Sequence, residues 1–153
     1  MENNTKDREF RVTRLFDAPV EMVWEVWTNP EHIKLWWGPN GFTNTISKME
    51  VEPNGVWEFV MHGPDGVDYK NKSIYKEVIV NEKIVFEHVT GPKFTTTVLF
   101  SEQGDKTLLE MHMLFKTREE FLQTIKTYKA DEGLKQNMEK LTIYLSNLKQ
   151  SVK

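Results

Sequence analysis

The 153 residues of this sequence include no cysteine. Disulfide bonds, thiolate metal sites and cysteine nucleophiles are therefore excluded, and such a composition is typical of an intracellular protein. Long apolar runs are also missing, since no segment approaches the ~18 apolar residues of a membrane span. The opening, MENNTKDRE, is polar and charged and has no apolar signal-peptide core. We therefore expect a cytoplasmic protein.

Net charge is small as well. The 20 Lys and Arg residues against 23 Asp and Glu residues give a formal charge of −3, which provides no electrostatic argument for binding nucleic acid or an anionic membrane. There is no G-x-S-x-G motif, phosphate-cradling glycine loop or dinucleotide-binding fingerprint. The length suits one domain, so we predict a single domain over residues 1–153 with an ordered core over about 8–150.

What the sequence does have is tryptophan, concentrated in one stretch. Residues 17–39, DAPVEMVWEVWTNPEHIKLWWGP, hold four of the five tryptophans. Pro19 stands at a first helical position after Asp17 or Ala18 as the cap, and Asn29-Pro30 repeats that signal. Apolar residues at helical spacing follow each signal, which predicts two short helices in tandem. Each tryptophan ring can bury ~150–250 Å², so these helices are expected to cover a concave surface.

Most of the remaining chain has the pattern of strands. The alternation from Phe10 to Phe16 predicts a first strand before the helices. After residue 42 the segments are short and rich in β-branched and aromatic residues, and turn signals such as Pro53-Asn54-Gly55 separate them. Strands joined by tight turns form an antiparallel meander. The predicted strands lie near residues 43–52, 56–62, 67–79, 83–90, 93–101 and 106–116.

The carboxyl end predicts helices that cover this sheet. Thr117 to Glu120 has the T-x-x-E pattern of a capping box. A helical face of Phe121, Leu122, Ile125 and Tyr128 follows it, and then a break is predicted at residues 131–133. A long helix comes after the break, and the whole order predicts an α+β fold. The apolar stripe of that helix consists of Leu134, Met138, Leu141, Leu145 and Leu148.

The segment RVTRLFDAPVEMVWEVWTNPEHIKLWWGP resembles the opening of the activator of heat-shock-protein ATPase homologue family, in the START-like or SRPBCC superfamily. The resemblance continues through residues 52–57, the segment VMHGPDGVDY and residues 83–86, and reaches the last helix. Asn54 stands where a second glycine is common in the family, and Leu134 where a tryptophan is common. The resemblance implies a helix-grip fold, in which a curved antiparallel sheet of about seven strands wraps around a long carboxyl-terminal helix and leaves a cavity between them.

Strand alternation indicates which side chains would face that cavity. Trp57, Phe59 and Met61 share one face of their strand, which we assign to the concave side. The same residues would also suit an ordinary packed core, and the sequence leaves both interpretations open. Several methionines in the set suit a site that tolerates irregular ligands. The predicted ligand-binding residues are Trp57, Phe59, Met61, Tyr75, Phe86, His88, Val98, Met111, Met113, Leu134 and Met138.

The polar residues predict no catalytic or metal centre. None of the four histidines has the spacing of a metal motif, so we expect no metal and no cofactor. His88 has the same strand parity as Phe86 and is a candidate polar contact for a ligand, as is Tyr75. Glu58 and Glu110 alternate with apolar residues and are expected on the solvated face of the sheet.

The interpretation that we favour is non-enzymatic binding of a small hydrophobic or aromatic ligand. A chaperone-interacting, ATPase-activating module, implied by the family resemblance, is the first alternative. The second is a polyketide cyclase-like enzyme with His88 or Tyr75 as acid or base. We expect no nucleic-acid or membrane partner, and a monomer or weak homodimer.

Overall fold

Seven strands and four helices make up the computed structural model, which describes residues 8–90, 93–128 and 130–151. The first half contains β1 (Glu9–Phe16), α1 (Val20–Thr28), α2 (Pro30–Trp36), β2 (Thr43–Met49) and β3 (Val56–His62). The second half contains β4 (Asp68–Ile79), β5 (Lys83–His88), β6 (Phe94–Gln103), β7 (Lys106–Phe115), α3 (Arg118–Tyr128) and α4 (Ala130–Ser151).

The strands form one antiparallel sheet in the order β1-β7-β6-β5-β4-β3-β2. Strands β2 to β7 follow one another as a meander, while β1 pairs with β7 along its whole length, from Glu9 opposite Leu114 to Phe16 opposite Thr107. Register shifts in β2 near Ser47 and in β4 near Lys76 interrupt the pairing, and such bulges bend strands. The predicted α+β fold with a curved antiparallel sheet is confirmed.

The predicted second strand extends too far at its carboxyl end. It stops at Met49 instead of residue 52, and the following residues form the turn into β3. In this turn the backbone N–H of Asn54 donates to the carbonyl oxygen of Tyr75, 2.7 Å away. Asn54 has a φ of 70°, in the left-handed region that glycine adopts freely and asparagine tolerates. Asparagine therefore fits this position of the turn, whereas a β-branched residue would be strained there.

The tandem helices begin differently from each other. Asn29 caps α2 as predicted, because its side chain accepts a hydrogen bond from Glu31 N at 2.9 Å and Pro30 is the first helical residue. The prediction for α1 is wrong by one residue, since Pro19 is the cap and no side chain caps the helix. Ala18 is buried and its carbonyl accepts a hydrogen bond from Thr107 at 2.8 Å, which fixes the chain just before the helix.

The tryptophans of these helices pack edge to face. The rings of Trp27 and Trp36 are 4.9 Å apart, and both are buried. The indole N–H of Trp36 donates to the carbonyl of Val26 at 3.1 Å. The ring is therefore buried without leaving its polar atom unpaired. Trp24 is only partly buried and lies 5.1 Å from Phe100 of β6. The tandem helices therefore cover one end of the concave face of the sheet.

Helix α3 departs from its predicted cap and face. Thr117 Oγ1 accepts from Glu120 N at 3.1 Å, which is one half of the capping box. The other half is absent among the described residues, because the Glu120 carboxylate accepts from Lys93 N at 2.9 Å instead. Leu122 is 49% exposed, whereas Thr124 is buried. The prediction that Leu122 packs inward is therefore wrong, and the predicted inward side chain of Tyr128 lies outside what the structure describes.

The break predicted at residues 131–133 is also wrong. Helix α4 runs through it from Ala130, while α3 ends at Tyr128. A Cβ atom on Gly133 would lie 3.2 Å from Pro39 Cγ, so this glycine permits a close approach and does not end a helix. The predicted stripe does face the sheet: Met138, Leu141 and Leu145 are buried.

The outer face of α4 is polar and reaches the first strand. Arg14 Nη1 donates to Glu139 Oε1 at 2.7 Å, and Lys149 pairs with Asp17 at 3.5 Å. Within residues 8–151, apart from the gaps stated above, no helix is long and apolar enough to cross a membrane.

We predict that Trp36→Ala lowers the free energy of unfolding by ~3–5 kcal/mol, because it removes a fully buried ring and leaves a cavity. That loss is a large part of the ~5–15 kcal/mol typical of a whole protein. Urea denaturation followed by circular dichroism measures it. Trp24→Ala is the comparison, and its loss should be clearly smaller because Trp24 is partly exposed. Equal losses for the two variants would contradict the packing described here.

Candidate ligand-binding cavity

A cavity of about 620 Å³ lies between the concave face of the sheet, helices α3 and α4, and the loop of residues 37–42. This volume is within the range of ~300–1,000 Å³ that is usual for small-molecule sites. The sheet contributes residues from β3 to β7, and α4 contributes Leu134, Gln136 and Asn137. The cavity opens to solvent between exposed residues at its mouth, which are Asn40, Tyr69, Lys70 and Glu132.

Eight of the eleven residues predicted from the sequence line this cavity. They are Trp57, Phe59, Met61, Phe86, His88, Met111, Met113 and Leu134.

The structure places the other three, Tyr75, Val98 and Met138, in the packed core beside the cavity. Val98 lies opposite Ile84 and Met111 in the sheet. It is on the concave face, as predicted, but it lies beyond the end of the cavity, where the helices fill the space. Burial raises the pKa of the Tyr75 hydroxyl through desolvation. Alternation identifies the face of a strand, but it does not say how far along the strand a cavity extends.

Aromatic rings form the apolar wall. Trp57 stacks on Phe59 with ring centroids 4.6 Å apart and meets Phe86 edge to face at 5.4 Å. Trp37, from the loop after α2, lies 5.1 Å from Trp57 and also lines the cavity. The set of ligand-binding residues predicted from the sequence did not include Trp37, because this residue lies in the stretch that was predicted as tandem helices. Trp37 is the C-cap of α2 and has an extended backbone conformation. Helical spacing therefore does not predict the direction in which its side chain points.

A polar band crosses the sheet beside these rings. His88 Nε2 lies 2.8 Å from Asn71 Oδ1, and the His88 ring stacks on Phe94 with centroids 4.7 Å apart. Ser73 of β4 and Thr96 of β6 lie on the same wall, each 1% exposed. The sequence prediction missed both hydroxyls. Strand alternation could have identified them, because Ser73 lies on the same face as Tyr75, two residues away, and Thr96 on the same face as Val98.

Hydrogen bonds hold the 37–42 loop against α4 and define the mouth. Asn137 Oδ1 accepts from the Gly38 N–H at 3.0 Å, while its Nδ2 donates to Trp36 O, also at 3.0 Å. Lys140 Nζ donates to the carbonyl of Pro39 at 3.2 Å, and its partial burial lowers the pKa of that amine. These contacts join residues about 100 positions apart in sequence, so only the fold brings them together.

Charge is confined to the mouth. Among the described residues of the wall, the charged side chains are Lys70 and Glu132, and both are exposed. A charged group carried deep into the cavity would therefore lose its hydration without gaining a counter-ion, which is strongly unfavourable.

The other titratable groups considered in the sequence lie away from the cavity. His32 Nδ1 is 2.6 Å from Tyr144 Oη, His62 lies between Thr45 and Asp68, and His112 Nε2 is 3.3 Å from Glu9 Oε2. Within the described part of the chain, no three His, Asp or Glu side chains gather as metal ligands would.

The two carboxylates that were expected on the solvated face of the sheet, Glu58 and Glu110, are not on the wall. Glu58 is exposed, and Glu110 accepts a hydrogen bond from Arg11 at 2.7 Å on the opposite face of the sheet.

Comparison with protein families gives a match over most of the chain. The family model described as Activator of Hsp90 ATPase homolog 1-like protein matches residues 17–146. No curated protein matches the sequence.

Solved structures share the fold at low sequence identity. A solution structure of a protein from Arthrobacter aurescens superposes with a TM-score of 0.86 at 22% identity, covering 95% of this chain and 90% of that one. A crystal structure from Nitrosomonas europaea gives 0.83 at 20% identity, with 94% and 97% covered. One from Mycobacterium smegmatis gives 0.81 at 20% identity, with 94% of each chain covered.

We predict that Asn137→Ala lowers the free energy of unfolding by about 2 kcal/mol, because it leaves the Gly38 N–H and the Trp36 carbonyl buried without their partner. Urea denaturation measures the loss. Gln136→Ala removes a neighbouring bond to the exposed Asn40 N–H and should cost less than ~0.5 kcal/mol. If Asn137→Ala were as mild as Gln136→Ala, the loop would not depend on this contact.

Proposed function

The chain belongs to the Activator of Hsp90 ATPase homolog 1-like family, and from that premise we propose that its cavity binds a small apolar or aromatic ligand without catalysing a reaction. The observation that supports this proposal is a cavity of about 620 Å³ whose wall is largely apolar and aromatic. A ligand that buries its apolar surface against this wall removes both surfaces from water, and that burial is the main favourable contribution to the binding of apolar molecules.

The composition of the wall indicates what such a ligand looks like. Trp57, Phe59 and Phe86 offer ring faces and edges, which attract other aromatic rings beyond simple burial of area. Met111 and Met113 of strand β7 add flexible, polarisable side chains, and these adapt to irregular shapes. The wall therefore suits an apolar or aromatic body of moderate size.

A catalytic role of the cyclase kind has less support. General acid–base catalysis requires a titratable group within hydrogen-bond reach of the reacting atoms, and usually a second group that acts with it. His88 is the imidazole of the described wall, but it lies against Asn71 and is stacked on Phe94. Tyr75, the other candidate, is in the core and does not line the cavity.

Interaction with a chaperone is the second candidate function. It rests on the family description, whose words name activation of the Hsp90 ATPase. Such an interaction would use the outer surface of the protein, so it would be insensitive to changes inside the cavity. The cytoplasmic location and the oligomeric state stay predictions from the sequence.

We predict that the protein binds N-phenyl-1-naphthylamine, an uncharged aromatic dye whose fluorescence rises in apolar surroundings. Leu134→Trp should weaken this binding at least tenfold, because Leu134 lines the cavity and a larger ring occupies its volume. The family resemblance favours tolerance of tryptophan at this position, and thermal unfolding checks that the variant is folded. The dye titration gives the dissociation constant.

Ile143→Trp is the matched control. It makes a similar enlargement on the same helix, but Ile143 is 59% exposed and is not part of the cavity wall. Its dye affinity should equal that of the unaltered protein. Absence of dye binding, or equal weakening by both variants, would reject the cavity as the binding site. Measuring stimulation of a chaperone ATPase with Leu134→Trp separates the second candidate, since that activity should be unchanged.

A further inference from the structure

Two hydroxyl groups on the cavity wall have no hydrogen-bond partner among the described residues. They belong to Ser73 on β4 and Thr96 on β6, and each residue is 1% exposed. Buried polar side chains nearly always have a partner, because an unmade hydrogen bond is unfavourable. Thr124, the third buried residue with a hydroxyl on the described wall, follows that rule, since its hydroxyl donates to the carbonyl of Glu120 at 2.7 Å. The hydroxyls of Ser73 and Thr96 face the cavity, so a ligand that displaces water from this wall must offer them hydrogen-bond partners or leave them without any.

The register of the sheet sets the separation of these hydroxyls. Ser73 lies opposite His88 on β5, while Thr96 lies opposite Phe86, two residues earlier on the same strand. Adjacent strands are ~4.8 Å apart and each residue advances ~3.4 Å, so the two positions are separated by roughly 12 Å along a diagonal of the sheet. One polar atom cannot contact both hydroxyls. A ligand that satisfies both must carry two polar groups.

The surface between the two hydroxyls is aromatic. Phe86 and His88 lie on that diagonal, and the ring of Phe94 stacks on His88. A flat molecule fits against such rings better than a flexible chain, because rigid aromatic bodies lose little conformational freedom on binding. The described wall carries its charge only at the exposed mouth, on Lys70 and Glu132, so the buried groups of the ligand must be neutral.

We propose that the ligand is a flat, uncharged molecule with hydrogen-bonding groups at its two ends, one bound by Ser73 and the other by Thr96. This inference rests on the proposed function, because it assigns the ligand class of the same cavity. Hydroxyl or carbonyl groups meet the requirement, since a serine or threonine hydroxyl both donates and accepts.

A matched series of rigid molecules tests the ligand class. The probes are trans-stilbene, 4,4′-dihydroxystilbene and stilbene-4,4′-dicarboxylate, each measured by displacement of N-phenyl-1-naphthylamine at pH 7. The dihydroxy compound should bind at least tenfold more tightly than stilbene, because two hydroxyls gain hydrogen bonds. The dicarboxylate should bind more weakly than the dihydroxy compound. If stilbene equals the dihydroxy compound, or the dicarboxylate binds best, the inference is overturned.

Two nearly isosteric variants test the residue assignment. Ser73→Ala and Thr96→Val each remove one hydroxyl, and each should weaken binding of the dihydroxy compound about five- to tenfold while leaving stilbene unchanged. Thr124→Val is the control, because its hydroxyl also belongs to the wall but already has a partner. It should leave the ratio between the two compounds unaltered.

The outcomes separate this inference from the proposed function. If the dye binds and is displaced, but Ser73→Ala and Thr96→Val behave like Thr124→Val, the two-point assignment is wrong and the proposed cavity function stands. If the dye and all three stilbenes fail to bind, the proposed function fails and this inference fails with it. Should one variant not fold, the ligand series on the unaltered protein and the other variant still decide the question.

Discussion

The side chain of Asn137 holds helix α4 to the end of helix α2, and the position of the cavity depends on that attachment. Its amide oxygen accepts from Gly38 and its amide nitrogen donates to Trp36. Because both partners are backbone groups at a helix end, they would otherwise be left without hydrogen bonds in a buried place. Gly133, one turn earlier on α4, permits the close approach to Pro39 that this geometry requires. Helix, loop and sheet are thereby held at a distance that leaves a hollow at one end.

Core and cavity are two ends of the same concave surface. Where α1 and α4 lie on the sheet, side chains such as Ile84, Val98 and Met138 fill the space completely. Towards the mouth, the same strands carry Phe94, Thr96 and Met113, and the helices no longer fill the space opposite them. Trp57 lies at the boundary and contacts rings on both sides of it, including Tyr75 in the core and Trp37 at the cavity. Its burial makes the cavity wall part of the stable fold.

Membership of the family and likeness of fold leave the ligand open. The solved structures compared with this chain share its fold at 20–22% identity, which says nothing about individual wall residues. A few polar groups placed in an apolar surface discriminate strongly between ligands, because burying a polar group without a partner is costly. The hydroxyls of Ser73 and Thr96 are two such groups on this wall, and the ligand class proposed above follows from their neutrality and from the limitation of charge to the mouth.

The sequence by itself determined the order of elements and the face of each strand. Turn residues between short β-branched segments predicted the meander, Asn29-Pro30 predicted the start of α2, and period-two alternation put Trp57, Phe59 and Phe86 on the concave side. These are local properties, because turn chemistry and alternation depend on neighbouring residues only. The tertiary structure alone decided that Tyr75, Val98 and Met138 are core while Trp37, Ser73 and Thr96 line a cavity. That division depends on where α4 stops filling the sheet, and contacts between residues about 100 positions apart set it. A rule based on residue spacing within one segment cannot predict such contacts, because they join parts of the chain that meet only after folding.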